Sequence, residues 1–215
     1  MEVPVRVRKF GHSCLLVEEA DAKILVDPGV FSPGWEELEG LDGVLVTHQH
    51  PDHLDLERLP AALLKANPDA ALYLDAGSAP QVSGHGFNVV VVTDGDKFDI
   101  NGLSVEVIGR NHAVIHPDIA QVPNVGYLIG ERLFHPGDAL TVPDREIEVL
   151  ACPCTAPWGK IADFVDYLRK VAPRVAIPIH EAVYARPQMA YQMLEKLKPE
   201  TTTLKIIDDG TPYQF

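Results

Sequence analysis

Gly43-Val44-Leu45-Val46-Thr47-His48-Gln49-His50-Pro51-Asp52-His53 joins a strand-like run to a dense set of metal-capable side chains. The first five residues are mostly apolar and β-branched, the pattern of a short buried strand. Four potential ligands, His48, His50, Asp52 and His53, then fall within six positions. Pro51 lacks an amide donor and drives the preceding residues out of helical geometry, so the ligands are offered from a loop. An internal position, an aspartate and a preceding buried strand distinguish this stretch from a histidine tag or a solvated histidine tract. Neutral imidazoles suit zinc, iron or nickel, and the carboxylate adds charge compensation. Asp52 and His53 must diverge from His48 and His50, so two ions side by side form the simpler arrangement.

Outward from this loop, hairpins precede alternating helices and strands. Strands are expected at 3–7, 13–17 and 23–26, the last ended by Asp27-Pro28-Gly29. Residues 54–65 carry leucines at helical spacing, closed by Pro68, and 71–74 returns to strand. After strand 89–92, Asn101-Gly102 between alternating apolar residues marks a hairpin. A second hairpin is expected over 125–129 and 132–134. Helix 158–171, strand 175–179, helix 187–197 and strand 204–207 complete the reading. No repeat or compositional break divides the 215 residues, so one domain over 1–215 is expected, with two sheets covered by helices.

Further metal-capable residues recur where strands end: His112 after 105–108, Asp138 after 132–134, and His180 after 175–179. A strand end holds a ligand rigidly while leaving it open to substrate. Asp27, His48-x-His50-x-Asp52-His53, His112, Asp138 and His180 together resemble, in order and spacing, the motifs of the metallo-β-lactamase superfamily. Gly11-His12-Ser13 and Ile177-Pro178-Ile179-His180 look like the branch that contains L-ascorbate-6-phosphate lactonase. The resemblance spans nearly the whole chain and implies an α/β fold, a four-layer αββα sandwich. It also implies that His48, His50 and His112 hold one divalent ion and Asp52, His53 and His180 a second, with Asp138 shared. Asp27 would support the site without ligating. Zinc is the first expectation, with manganese, iron or nickel as alternatives. The chain looks shorter than the lactonase, and it lacks the appended domains of the nuclease and glyoxalase II branches. The ascorbate substrate therefore does not follow from the fold.

The expected chemistry is hydrolysis by water activated between two metals, with Asp52 or Asp138 orienting it, first on a lactone or other ester. Phosphodiester hydrolysis is the rival within the same class. A di-iron oxidoreductase with a separate electron donor, or a non-enzymatic metal-binding or sensing protein, would be a different class. His116 in His112-Ala113-Val114-Ile115-His116 is a candidate proton donor or substrate contact, weighed against an exposed loop histidine. His12 reads as a packed residue or one that supports the site, His135 as facing away, and His85 as surface. Cys152-Pro153-Cys154 is poorly placed for a local disulfide and reads as buried residues at a strand end. Trp158 and Lys160 are open between the cleft and ordinary core or surface roles.

Composition narrows the partners. Asp and Glu number 31 against 18 Lys and Arg, a formal charge of −13 with no basic cluster, which disfavours a nucleic-acid backbone. No run is long enough to span a membrane, and Met1-Glu2-Val3-Pro4 lacks signal-peptide character. A cytoplasmic location and a small-molecule substrate are expected, and a homo-oligomer is compatible with the sequence. Three cysteines do not make a disulfide framework.

Overall fold

The computed structural model describes residues 4–208 and 210–215. The first half of the chain supplies β1 (Arg6–Lys9), β2 (Leu15–Glu19), β3 (Ala22–Val26), β4 (Gly43–Val46), β5 (Ala71–Leu74) and β6 (Val89–Val91). The second half supplies β7 (Lys97–Ile100), β8 (Leu103–Ile108), β9 (Gly126–Ile129), β10 (Leu133–His135), β11 (Val149–Pro153), β12 (Val175–Ile179) and β13 (Thr203–Leu204). Two helices, α1 (Ile161–Val171) and α2 (Gln188–Leu197), lie between the last strands, and β14 (Tyr213–Gln214) returns to pair with β1.

Among the described residues these strands form two mixed seven-stranded sheets, ordered β14-β1-β2-β3-β4-β5-β6 and β13-β12-β11-β10-β9-β8-β7. Each half of the chain follows one plan. Antiparallel hairpins come first (β1 to β3, then β7 to β10), and parallel crossovers follow (β3 to β6, then β10 to β13).

The sheets face one another across a core that includes Val7, Leu15, Val17, Ile24, Val26 and Leu45 from one side, with Val105, Val107, Ile129, Val149 and Ile177 from the other. Tyr127 crosses this core and donates its hydroxyl hydrogen to the carbonyl of Val46 at 2.9 Å, so its polar end is satisfied. The opposite face of the second sheet packs Leu128, Phe134, Leu150 and Ala176 against Phe164 and Leu168 of α1 and Leu194 of α2. Burial on both faces explains why the central strands read as unbroken apolar runs.

The outer layer of the first sheet is thinner than a helix over 54–65 would make it. Trp35, Leu54, Leu59 and Leu63 do cover Val44, Val46, Leu72 and Leu74. Only residues 59–66 are helical, however, with Ala61–Ala66 as a π-type turn. The Asp55 carboxylate accepts the backbone N–H groups of Glu57 and Arg58, and Pro60 has no N–H to continue a ladder. Local side-chain bonds and proline thus override the leucine spacing. Three further differences concern strands. The strand end expected at Cys152-Pro153-Cys154 is that of β11, whose extent over Val149–Pro153 the short pattern with Cys152 and Pro153 does not mark. The 204–207 expectation contracts to β13. The first strand starts at Arg6, and Val3 lies outside the described residues. No helix among the described residues is long and apolar enough to cross a membrane.

Candidate metal centre

The strand ends that gather the site belong to both sheets. Asp27 follows β3 and Thr47 to His53 follow β4, while His112, Asp138 and His180 follow β8, β10 and β12. The carboxyl ends of parallel strands are the usual place for a site in such sheets. Backbone bonds knit the first two loops together: Val30 N–H to the Pro51 carbonyl at 2.9 Å and Asp55 N–H to that of Pro28 at 3.0 Å. Gly29 makes this approach feasible, because a Cβ there would lie 1.8 Å from the Asp52 carbonyl oxygen. His12, Asp27 and His180 have φ values of 49°, 49° and 66°. Non-glycine residues seldom take this left-handed region, His and Asp more readily than most, and such conformations concentrate at functional positions.

Two groups of side chains result. His48, His50, His112 and Asp138 form one, and His12, Asp52, His53 and His180 the other, each with its ligand atoms within 4.8 Å of one another. Asp138 reaches both. Its Oδ2 lies 3.3 Å from His112 Nε2 and 3.0 Å from His180 Nε2, and its Oδ1 lies 3.1 Å from His53 Nε2. Two of the three imidazoles of the first group also approach closely, with His48 Nε2 2.9 Å from His50 Nδ1.

The donor set fits divalent ions. Nε2 of His53, His112 and His180 and Oδ1 of Asp138 are buried without a directed hydrogen bond. Buried polar atoms are seldom left so, and these four belong to the converging set. The opposite nitrogen of each imidazole is anchored. Nδ1 of His53 bonds Asp27 Oδ2 at 2.7 Å, that of His112 the Ala113 carbonyl at 2.5 Å, and that of His180 the Thr155 carbonyl at 2.8 Å. Each acceptor takes a proton carried on Nδ1 and so turns Nε2 inward, the nitrogen that a metal ion would take in place of a proton.

Electrostatics follows from packing five imidazoles around two carboxylates. Burial pulls His48 well below the ordinary histidine value, and the neighbouring His53 adds to this. Burial also lowers His50, with His112 next in importance. For His53 burial is overridden by Asp138 and Asp27, which hold the imidazole well above its usual value. Asp138 and Asp52 likewise overcome burial and push His180 up to about 9. Asp138 is kept well below the carboxylate range, against its burial, chiefly by His53. The cluster therefore favours an array of anions and basic nitrogens, the composition that attracts cations.

The family model described as β-lactamase superfamily domain matches residues 6–180, from the first strand to the last histidine of the cluster. The chain belongs to the metallo-β-lactamase superfamily. Within it, the chain is 44% identical over 216 residues to Protein Rv0786c of Mycobacterium tuberculosis, covering 98% of this chain and 100% of that one. It is 26% identical over 189 residues to a UPF0173 metal-dependent hydrolase of Methanocaldococcus jannaschii, covering 80% and 82% of the two chains. Among solved structures, the metallo-β-lactamase fold protein YhfI of Bacillus subtilis superposes with a TM-score of 0.76 at 14% identity, over 100% of both chains. At that identity the likeness speaks for the fold.

The superfamily motif residues named from the sequence all fall in the two groups or beside them. Asp27 sits behind, accepting Thr47 N–H on Oδ1 and the Thr47 hydroxyl on Oδ2, both at 2.8 Å. His12 joins the second group spatially, yet both of its nitrogens are engaged. Ala182 N–H points to Nδ1 at 3.3 Å, so Nε2 carries the proton directed at Asp52 Oδ2, 3.1 Å away. His116 lies outside both groups. It is exposed, and its Nδ1 accepts the N–H of Asp118. His135 is buried and directed at the Ser13 carbonyl, and His85 is exposed against Phe87. The three cysteines are free and buried, and burial raises the Cys154 thiol to about 12, which leaves it unreactive at neutral pH.

Two further participants carried no signal in the sequence, and a third, Trp158, is open there between cleft and core. Lys9 is buried, pairs with Glu181 at 2.6 Å and donates to the Pro178 carbonyl, while the other Glu181 oxygen accepts His12 N–H. Asn124 accepts Asp138 N–H and donates to the Pro136 carbonyl, fixing the Asp138 loop. Trp158 donates its indole N–H to Asp138 Oδ2. All three act across distances in the chain that no local pattern records.

Proposed function

We propose that this chain is a binuclear metal-dependent hydrolase acting on an uncharged lactone or other ester. The carrying observation is the convergence of buried Nε2 atoms with no directed hydrogen bond on an Asp138 carboxylate within reach of both histidine groups. His48, His50 and His112 would hold one ion and Asp52, His53 and His180 the other, with Asp138 shared. Such ions, zinc foremost, supply Lewis acidity and lower the pKa of water from about 16 to about 7. The protein's own part is to fix the imidazoles by their Nδ1 bonds and to hold Asp52 at the mouth. The Asp52 side chain is 20% exposed, so its carboxylate can orient an incoming water by accepting a hydrogen bond from it. The names of the M. jannaschii relative and others of its group, metal-dependent hydrolases, support the reaction class.

The mouth favours an apolar substrate. Phe31, Val114, Ile115, Ile119 and Tyr184 are exposed on the loops that follow Asp27, His112 and His180. A cavity of about 70 Å³ beside His50 and His112 is lined by Ala113, Ile115, Ile119, Ala120, Gln121 and Val122. Burying such side chains against an alkyl group is favourable, which supports an apolar ester over a phosphodiester.

The test is turnover by zinc- or manganese-loaded protein of aliphatic lactones, carboxyl esters and phosphodiesters, without flavin or oxygen. Ester or lactone cleavage is expected to exceed phosphodiester cleavage. Preference for the phosphodiester would reverse the substrate assignment. Oxygen consumption with an electron donor, and no hydrolysis, would overturn the reaction class.

A further inference from the structure

The loop between β11 and α1 delivers Trp158 to the edge of the metal centre. Its indole nitrogen lies 2.7 Å from Asp138 Oδ2, and that oxygen is also the atom within 3.3 Å of one imidazole in each histidine group. The indole meets the rings of His112 and His180 edge-on, with centroids 5.9 and 6.0 Å away. Its outer side packs on Phe164, which is buried in α1, at 5.3 Å and 78°. Gly159 admits this packing, because a Cβ there would lie 2.6 Å from Phe164 Cζ.

We propose that Trp158 is a positioning residue whose N–H fixes the Asp138 carboxylate so that Oδ2 faces both histidine groups at once. The proposal rests on Asp138 being the shared ligand. A carboxylate turns about its Cβ–Cγ bond with little resistance, and only bonds to its oxygens select one orientation. Asn124 holds the Asp138 backbone, and Trp158 is the donor that reaches the side chain without being a candidate ligand. Indole donates and cannot accept or ligate, so it can stand against the carboxylate without competing for an ion. Anchorage on Phe164 places the N–H by helix packing, which is more rigid than a loop hydroxyl or a water.

The decisive variant is Trp158→Phe, which keeps an aromatic ring and removes the donor, beside Trp158→Gln, which restores an N–H. Zinc affinity measured by calorimetry on metal-free protein reads the effect without any substrate. Wild type is expected to bind two ions. In Trp158→Phe the affinity should fall roughly 10- to 100-fold, the range found when a partner of a metal ligand is lost, and Trp158→Gln should recover part of it. The metal-free melting temperature should change little between the variants. Equal zinc affinity in wild type and a folded Trp158→Phe would overturn the role of Trp158. Failure of wild type to bind a second ion would instead remove the shared-ligand reading beneath it. Wild type also offers a test that needs no variant. The protein has two tryptophans, so nitrogen-labelled protein gives two indole N–H resonances, assignable with Trp35→Phe. The Trp158 resonance should move on zinc addition and exchange slowly with solvent. An indole signal indifferent to zinc would reject the contact.

Discussion

Asp27 commits both oxygens to the interior of the site, one to Thr47 N–H and the other to the Thr47 hydroxyl and His53 Nδ1. Asp27→Asn keeps the shape but turns an NH2 group towards one of these donors. We expect stability to fall by about 1–3 kcal/mol, the cost of a buried unpaired donor, and zinc affinity to fall roughly 10- to 100-fold. Urea unfolding and zinc titration check the two separately. Histidines differ just as sharply by surroundings. His180→Ala should lose the second ion and turnover together, whereas His116→Ala should retain both ions by elemental analysis. A fall of about 100-fold or more in kcat of His116→Ala would give its imidazole the proton-donor role, and unchanged turnover would return it to the loop surface. The motif residues were legible in the sequence because each sits just past an apolar strand, a local pattern. Asn124 and the Lys9–Glu181 pair were not, and Trp158 was legible only as a residue open between cleft and core, because their partners are distant in the chain.

Loops and strand ends are the elements that make the cluster possible. Gly29 is the tightest point, since the atoms a Cβ would strike are backbone and cannot swing aside. Gly29→Ala should therefore push the Asp52–His53 segment outward, with a cost of about 1–3 kcal/mol for overpacking and loss of metal from the second group first. Chemical denaturation and metal content per chain measure both effects. Strand positions were readable wherever alternation or a turn signal was strong, as at Asn101-Gly102 between β7 and β8. The helix expected over 54–65 is shortened to begin at Leu59, because the Asp55 carboxylate holds Glu57 and Arg58 in a turn that outcompetes leucine periodicity. Of β11 only the end at Cys152-Pro153-Cys154 was legible, for the converse reason. Tertiary burial between β10 and β12 makes a strand of residues whose own pattern is weak.

At the scale of the molecule, both sheets contribute ligand candidates to each group, so bound metal would hold the sheets to one another. Removing it with a chelator should lower thermal stability. At a hundredfold excess of free metal over Kd, binding contributes about 2.7 kcal/mol, or roughly 5–10 °C for a domain of this size, and calorimetric scans with and without zinc test this. A separate acid sensitivity arises at Glu148, which Arg132 and then Arg174 hold down to about 2. A carboxyl depressed on folding stabilises above its unfolded value of about 4.3 and loses that contribution as pH falls towards 2. Wild type and Glu148→Gln should therefore differ most above pH 5 and converge near pH 2, by urea midpoints on metal-free protein. The difference should be modest, since Glu148 is partly open to solvent.

The placement of ligands along the chain has a consequence for biosynthesis. His48 to His53 leave the ribosome early, while His112, Asp138 and His180 follow in the second sheet. A nascent chain thus offers only a histidine-rich loop, and the paired cradle exists once β12 has been added. Metal uptake becomes a mark of completion: chains interrupted before His180 should emerge poor in metal and be recognisable as unfinished by that deficit alone.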